Sequence, residues 1–331
     1  MRDGLVIDMF AGGGGASQGI RDALGREVDI AVNHDLKALM MHAVNHPGAL
    51  HLEEDVFNVR LAEYTRGRHV SLMWASPDCT HFSRARGAKP RSQHIRMLPW
   101  AVYEQSRAIL PDVVVCENVA EIQTWEDYGA FVAAMRSLGY TFECRELCAA
   151  DFGARTSRTR WYAVLRRDGC ATAWPLPNHK RPDTLLDPHL PHWLSVRPCI
   201  DLADVGKRVD HRSRPLSAKT LARMERGFRE YGGQWLMSYY GTGVGQSLDM
   251  PLRTITCTDR FALVTMRQRH AHLRMLRPEE LKLAQGFPVR YVIDRYSDGT
   301  AVPKREQVRR IGNSVVPTMA MQLVRANARA A

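Results

Sequence analysis

Over the first half of the chain, the spacing of hydrophobic positions switches back and forth between two periods. Apolar runs of strand length lie at Gly4–Phe10, Val28–Val32, His69–Ser76 and Asp112–Asn118. Between them, apolar residues recur at helical spacing in ASQGIRDALG, with Gly25 as its stop, and in DLKALMMHAVNH, ended by Pro47-Gly48. SQHIRMLPWAVYEQSRAIL keeps that spacing across Pro99, and YGAFVAAMRSLGY repeats it. TFECREL and RWYAVLRR read as two more strands. Such alternation predicts an α/β fold, a doubly wound and mostly parallel sheet.

The pattern breaks after about residue 170. Trp174–Pro198 is rich in proline and histidine and has no clean period. One amphipathic helix follows in LSAKTLARMERGFREYG, then a glycine-rich, strand-like stretch, GTGVGQSLDMPLRTITCTDRFALV. Helical patterning returns from LRPEELKLAQGFP to the end. The reading divides the chain into 1–170, a smaller inserted module at 171–270, and a segment at 271–331 that returns to the first unit.

Composition narrows the function classes. No run approaches the length of a membrane span, and the chain opens without a signal-peptide pattern. Seven scattered cysteines do not make a disulfide framework, and the lone Cys144/Cys148 pair is no zinc motif, so a reducing cytoplasm is expected and no metal. Charge is more informative. Residues 1–144 hold 14 Lys/Arg against 18 Asp/Glu, whereas 145–331 hold 32 against 17. Of the 46 basic residues 39 are arginine, the side chain suited to phosphate and guanine. A basic half beside a near-neutral one points to a polyanion bound by one module, the alternative being an arginine-rich surface of compositional origin.

The first strand meets a four-glycine turn in VIDMFAGGGGASQGI, which lets backbone approach a ligand. Taken alone it would suit a dinucleotide, a nucleotide, S-adenosylmethionine, or only a tight turn. A dinucleotide fingerprint fits poorly, because the third small residue counted from Gly13 and Gly15 falls on Gln18. Asp8 would repel a pyrophosphate but welcome an ammonium. Asn33, His34 and Asp35, after the second strand, are the ribose-binding candidates, and Asp55 could accept from an adenine amino group. Cys79, in ASPDCTHFSRARG, admits three readings: metal ligand, nucleophile, or inert strand-end thiol. Asp78 and His81 are too close in sequence to converge with it on one ion, while the arginines that follow favour a thiolate.

The motifs together resemble the DNA cytosine-C5 methyltransferase family, in the family's order and over nearly the whole chain. They are Asp8–Gly15, Pro77–Ser83 around Cys79, Glu117-Asn118-Val119, Thr156–Arg160, Arg274–Pro288 and Gly312–Val315. Departures are Thr80 and Thr156 where the family carries Gln, Asp78 for Pro, Asn33 where a ribose-binding Glu is usual, and His34 at the adenine-flanking position.

The resemblance implies a Rossmann-like methyltransferase domain with an inserted target-recognition domain, the cofactor S-adenosyl-L-methionine, and double-stranded DNA as partner of a monomer. It assigns catalysis to Cys79, Glu117, Arg158 and Arg160. To the cofactor it assigns Asp8, Phe10, Ala11, Gly12, Gly13, Gly15, Asn33, His34, Asp35, Asp55, Val56, Pro77, Asn313 and Val315. DNA contacts are expected from Ser83, Arg84, Arg86, Lys89 and Arg91, and from Thr254 and Arg260 in the inserted module. The reaction implied is methylation of C5 on a flipped-out cytosine through a Cys79–C6 adduct, in a bacterial or phage-infected cell and in a restriction-modification setting. A transfer-RNA cytosine methyltransferase would share this core. A nicotinamide-dependent oxidoreductase would share the sheet but leave Cys79 and Glu117 unexplained.

Overall fold

The computed structural model describes residues 3–78, 93–184, 188–239 and 245–327. Among them, a seven-stranded sheet runs in the order β3-β2-β1-β4-β5-β7-β6. Its strands are β1 (Leu5–Met9), β2 (Ile30–Asn33), β3 (Leu50–Glu53), β4 (Val70–Ala75), β5 (Val113–Asn118), β6 (Thr141–Cys148) and β7 (Thr159–Arg166). β1 to β5 pair in parallel, while β7 is antiparallel to both β5 and β6. The expected architecture is therefore present, with one strand more than expected. β3, LHLE, is four residues long and lies at the sheet edge, too short to stand out against the helix before it.

Both faces are covered, which is why β1, β4 and β5 are apolar without alternation. One face holds Ile7, Met73, Val114 and Trp161 beneath α3 (Leu61–Thr65), α4 (Gln93–Ile109) and α5 (Tyr128–Ser137). The other holds Val6, Trp74, Val115 and Tyr162 beneath α1 (Gly15–Leu24) and α9 (Pro317–Asn327). α9 closes on α1 because Gly19 has no side chain; a Cβ there would lie 2.2 Å from the Pro317 carbonyl oxygen. The end of the chain thus returns to the first helix.

Residues 207–275 contain a second, five-stranded antiparallel sheet of order β10-β9-β11-β12-β8. These are β8 (Lys207–Arg208), β9 (Gln234–Ser238), β10 (Gly245–Gln246), β11 (Phe261–Arg267) and β12 (His270–Met275). α6 (Ala218–Tyr231) packs on it through Met224 and Gly227; the latter is open enough to take the edge of the buried Trp235 indole. The segment Leu252–Cys257 joins this sheet to the first. Leu252 exchanges backbone hydrogen bonds with Arg155 and Ser157, each 2.8 Å long. α7 (Pro278–Ala284) and α8 (Lys304–Asn313) complete the return.

Candidate active site

Strand order reverses between β1 and β4, and in open α/β sheets the crevice beyond the carboxyl ends of two such strands is where ligands bind. Met9, the last residue of β1, is in register with Ala75 of β4, and Ala75 in turn with Cys116 of β5. The glycine turn after β1, the Ser76-Pro77-Asp78 segment after β4, and Glu117-Asn118 at the end of β5 consequently leave the sheet at one edge. Asn118 ties two of these together: its Nδ2 donates to the Pro77 carbonyl at 3.1 Å, and its Oδ1 accepts from Val119 N at 2.8 Å. The backbone entering Cys79 is thereby fastened to the strand carrying Glu117. Cys79 itself, with Ser83, Arg84, Arg86, Lys89 and Arg91, lies outside the described residues.

Glu117 is nearly buried, and its Oε1 lies 3.3 Å from Arg160 Nε on the neighbouring antiparallel strand. Arg158 Nη1 donates to the Ile255 carbonyl at 3.1 Å, bracing the segment that leads into the second sheet.

The glycine turn is clamped from behind. Phe10 adopts φ 87°, costly for a residue with a side chain, and Phe10 N and Ala11 N both donate to the Val32 carbonyl at 3.1 and 3.0 Å. Tyr291 donates to the Gly13 carbonyl at 2.6 Å. Gly15 abuts the returning chain, where an added Cβ would lie 1.9 Å from Ser314 Oγ. Below the turn Asp8 is fully buried; its Oδ2 accepts from Ser17 at 2.6 Å, while its Oδ1 has no partner. Burial pushes the Asp8 carboxyl up to about 7, against the pull of the Ser17 hydroxyl.

Among the other cofactor candidates, Asn33 Oδ1 accepts from Asp35 N at 2.9 Å, closing the turn after β2. Asp35 caps α2 (Leu36–Asn45) through Ala38 N and pairs with Arg310 at 2.7 Å. Partial burial opposes its charge, but Arg310, the Ala38 N–H and Arg309 together hold its carboxyl below the usual range. His34 is exposed. Asp55 folds its carboxylate onto Phe57 N at 2.9 Å, and Val56 is buried in the core. Val315 is likewise a core residue, and Asn313 Oδ1 accepts from the Cys257 thiol at 2.6 Å. Thr254, in the segment joining the sheets, is half-buried, and Arg260, just before β11, is exposed. A glycine-lined backbone, a buried carboxyl with a spare oxygen and an amide at the end of β2 suit a ligand that is cationic and carries a ribose.

Sequence reading did not single out Ser17, His42, His51 and Tyr291, because their contacts come from separate elements. A usable signal was the pair His42/His46, four residues apart at the end of α2, where both rings lie against Gly14 of the glycine turn.

The family model for C-5 cytosine-specific DNA methylases matches residues 5–328. The chain is 25% identical to the type II methyltransferase M.SacI of Streptomyces achromogenes, over 97% of this chain and 92% of that one. It is 28% identical to M1.HphI of Haemophilus parahaemolyticus over 55% of this chain, a match spanning only 50% of that relative's length. In fold it is similar to the Dnmt2 methyltransferase of S. pombe, with TM-score 0.64 and 16% identity, covering 97% of each chain.

Proposed function

We propose, for a chain that belongs to the C-5 cytosine-specific DNA methylase family, that it methylates C5 of a flipped-out cytosine within a particular duplex DNA sequence. The observation carrying this reading is the meeting, at one sheet edge, of the Cys79 approach, the Glu117–Arg160 pair and the glycine turn. C5 of cytosine is a weak nucleophile. Attack of the Cys79 thiolate at C6 makes it stronger by pushing electron density toward C5 and N3. Glu117 supplies a proton or hydrogen bond at N3, and Arg160 holds Glu117 in place while meeting the base O2. S-adenosylmethionine, when bound, supplies the methyl group as an electrophile. Loss of the C5 proton then returns the electron pair to the ring and expels Cys79. A stacked base cannot enter this geometry, so extrusion from the duplex is required.

Arginine supports the choice of nucleic acid. The half of the chain from residue 145 holds 32 basic residues against 17 acidic ones, and Thr254 lies on the segment joining the two sheets, with Arg260 at its far end just before β11. Phosphate contacts of this kind position a duplex, and base contacts from the second sheet's loops choose the sequence. The test is to express the protein in cells lacking 5-methylcytosine and sequence their DNA with a readout for that base. Modification confined to one short sequence is expected. Methylated transfer RNA beside unmodified DNA would overturn the reading.

For the cofactor, Asn33 stands where a carboxylate would make charge-assisted bonds to ribose hydroxyls, roughly twice as strong as those of an amide. Asp35 is committed to its helix cap and to Arg310, so it is poorly placed to substitute. Asn33→Glu is therefore expected to tighten S-adenosylmethionine binding by roughly 5- to 30-fold, or about 1–2 kcal/mol. Asp35→Ala should instead lower stability by about 1 kcal/mol through the lost cap, with affinity little changed. Calorimetric titration and urea denaturation separate the two. Severe loss of affinity in Asp35→Ala, with no gain in Asn33→Glu, would make Asp35 the ribose ligand.

A further inference from the structure

Behind the glycine turn a hydrogen-bonded chain runs from a sealed carboxyl toward solvent. Ser17 Oγ is 2.6 Å from Asp8 Oδ2 and 2.9 Å from His42 Nε2, and His42 Nδ1 is 2.8 Å from His51 Nε2. Asp8, Ser17 and His42 are fully buried, while His51, on the edge strand β3, is partly exposed. Each intermediate member can both donate and accept, so the whole chain can run in either direction. Its imidazoles are neutral at physiological pH. Burial, with His46 and His51 nearby, holds His42 well below its ordinary value; burial and Arg21 take His46 down to about 3; burial lowers His51. Among the described residues no three His, Cys, Asp or Glu side chains are grouped to hold a metal ion, so a zinc or iron centre does not account for the three histidines.

The remaining groups around Asp8 do not neutralise it. Tyr291, packed on His46, is kept protonated by burial. Arg21 directs its guanidinium to the Asn45 carbonyl and to Glu27 rather than to Asp8. Glu27 lies toward His51, at the outer end. The charge of Asp8 is thus left to whatever occupies the turn two residues further along the chain.

We propose that binding of the cationic cofactor over Phe10–Gly15 drives a proton from Asp8 to solvent along Ser17, His42 and His51. The proposal rests on the reading that the cofactor is S-adenosylmethionine. Starting from the carboxylic acid, Asp8 passes its proton to Ser17 Oγ, and Ser17 passes its own to His42 Nε2. His42 Nδ1 passes one to His51 Nε2, and His51, half-exposed and beside the Ala49 carbonyl, gives its other ring proton to water. One proton leaves, each member keeps its valence, and the end state has Ser17 donating to an ionised Asp8, buried beneath a positive ligand. In a low-dielectric surrounding that attraction is strong enough to set the protonation state. Ser17, His42 and His51 are positioning residues here, acting on the cofactor through Asp8.

The experiment is isothermal titration of the full chain with S-adenosylmethionine at pH 7, in two buffers of different ionisation enthalpy. About half a proton should be released per cofactor bound, and affinity should fall about tenfold from pH 8 to pH 6, as for a carboxyl titrating near neutrality. Asp8→Asn, nearly the same shape, should bind with buffer-independent heat and a flatter pH profile; the cofactor's own amino group is common to both proteins and cancels. If Asp8→Asn does not fold, Ser17→Ala serves, since loss of the hydroxyl should move the midpoint of the wild-type profile upward. His51→Phe should leave the number of protons unchanged but slow their appearance in stopped flow with an indicator dye. Binding without proton release, or release unchanged in Asp8→Asn, overturns the proposal. Release as fast in His51→Phe as in wild type overturns the route. Absence of any binding heat would count against S-adenosylmethionine as the cofactor instead.

Discussion

If the proposed function holds, Cys79→Ala is expected to abolish methyl transfer, a fall on the order of 10⁴-fold or more, because the proposed route has the thiolate activate the ring. A duplex carrying 5-fluorocytosine at the target should form a denaturation-resistant adduct with the wild-type protein when cofactor is present, since fluorine blocks the last proton loss. Cys79→Ala should form none, and an adduct surviving that substitution would end the assignment. Glu117→Gln should be less severe, about 10²- to 10⁴-fold in turnover, the usual weight of one general acid or base. Arg160 lies 3.3 Å from the carboxylate it would orient. Arg160→Ala and Glu117→Gln should therefore cost far less together than the product of their separate effects. Full additivity would mean the two residues act apart, and the pair would lose its role at N3.

How much of this was legible beforehand follows from the physics of each element. β1, β4 and β5 are buried on both faces and end in polar or glycine-rich residues, so their apolar runs and the edge they share could be read directly. The second sheet could not. Two of its strands, β8 and β10, are two residues long, below the length at which alternation is a signal. The motif residues were found by their order along the chain, but their supports were not. Tyr291 reaches Gly13 across 278 positions, and the line from Asp8 to His51 crosses two strands and two helices. Periodicity reports which face of an element is buried; it does not report which buried polar atoms meet.

Glu280 is the clearest case of a motif residue whose place in the structure is architectural, and its loss should be the most damaging to stability. Its carboxylate takes Arg274 in a two-pronged pair at 2.7 and 2.8 Å, and it also accepts from Asp201 N at 2.8 Å and Arg277 N at 2.7 Å. Arg274 spends its other donors on the Asp201 and Asp204 carbonyls at 2.7 and 2.6 Å. One ion pair therefore joins the end of β12, the 201–204 turn and the start of α7. α7 carries the consequence to the site, since Gln285 just beyond it donates to the Ser314 carbonyl at 3.0 Å, and Ser314 backs the glycine turn at Gly15. Side-chain exposure is only 9% for Arg274 and 5% for Glu280, so removing Glu280 leaves Arg274 away from water with only the longer Asp204 carboxylate contact, at 3.5 Å. Glu280→Ala is expected to cost about 3–5 kcal/mol in urea denaturation. Replacing both partners by apolar residues, as in Arg274→Met with Glu280→Leu, should recover part of that loss, because desolvation of both ions is then avoided. Raising the salt concentration should change the cost of Glu280→Ala very little, unlike that of a surface pair. A loss below about 1 kcal/mol would place the pair among the dispensable surface bridges, and the double variant would then have nothing to recover.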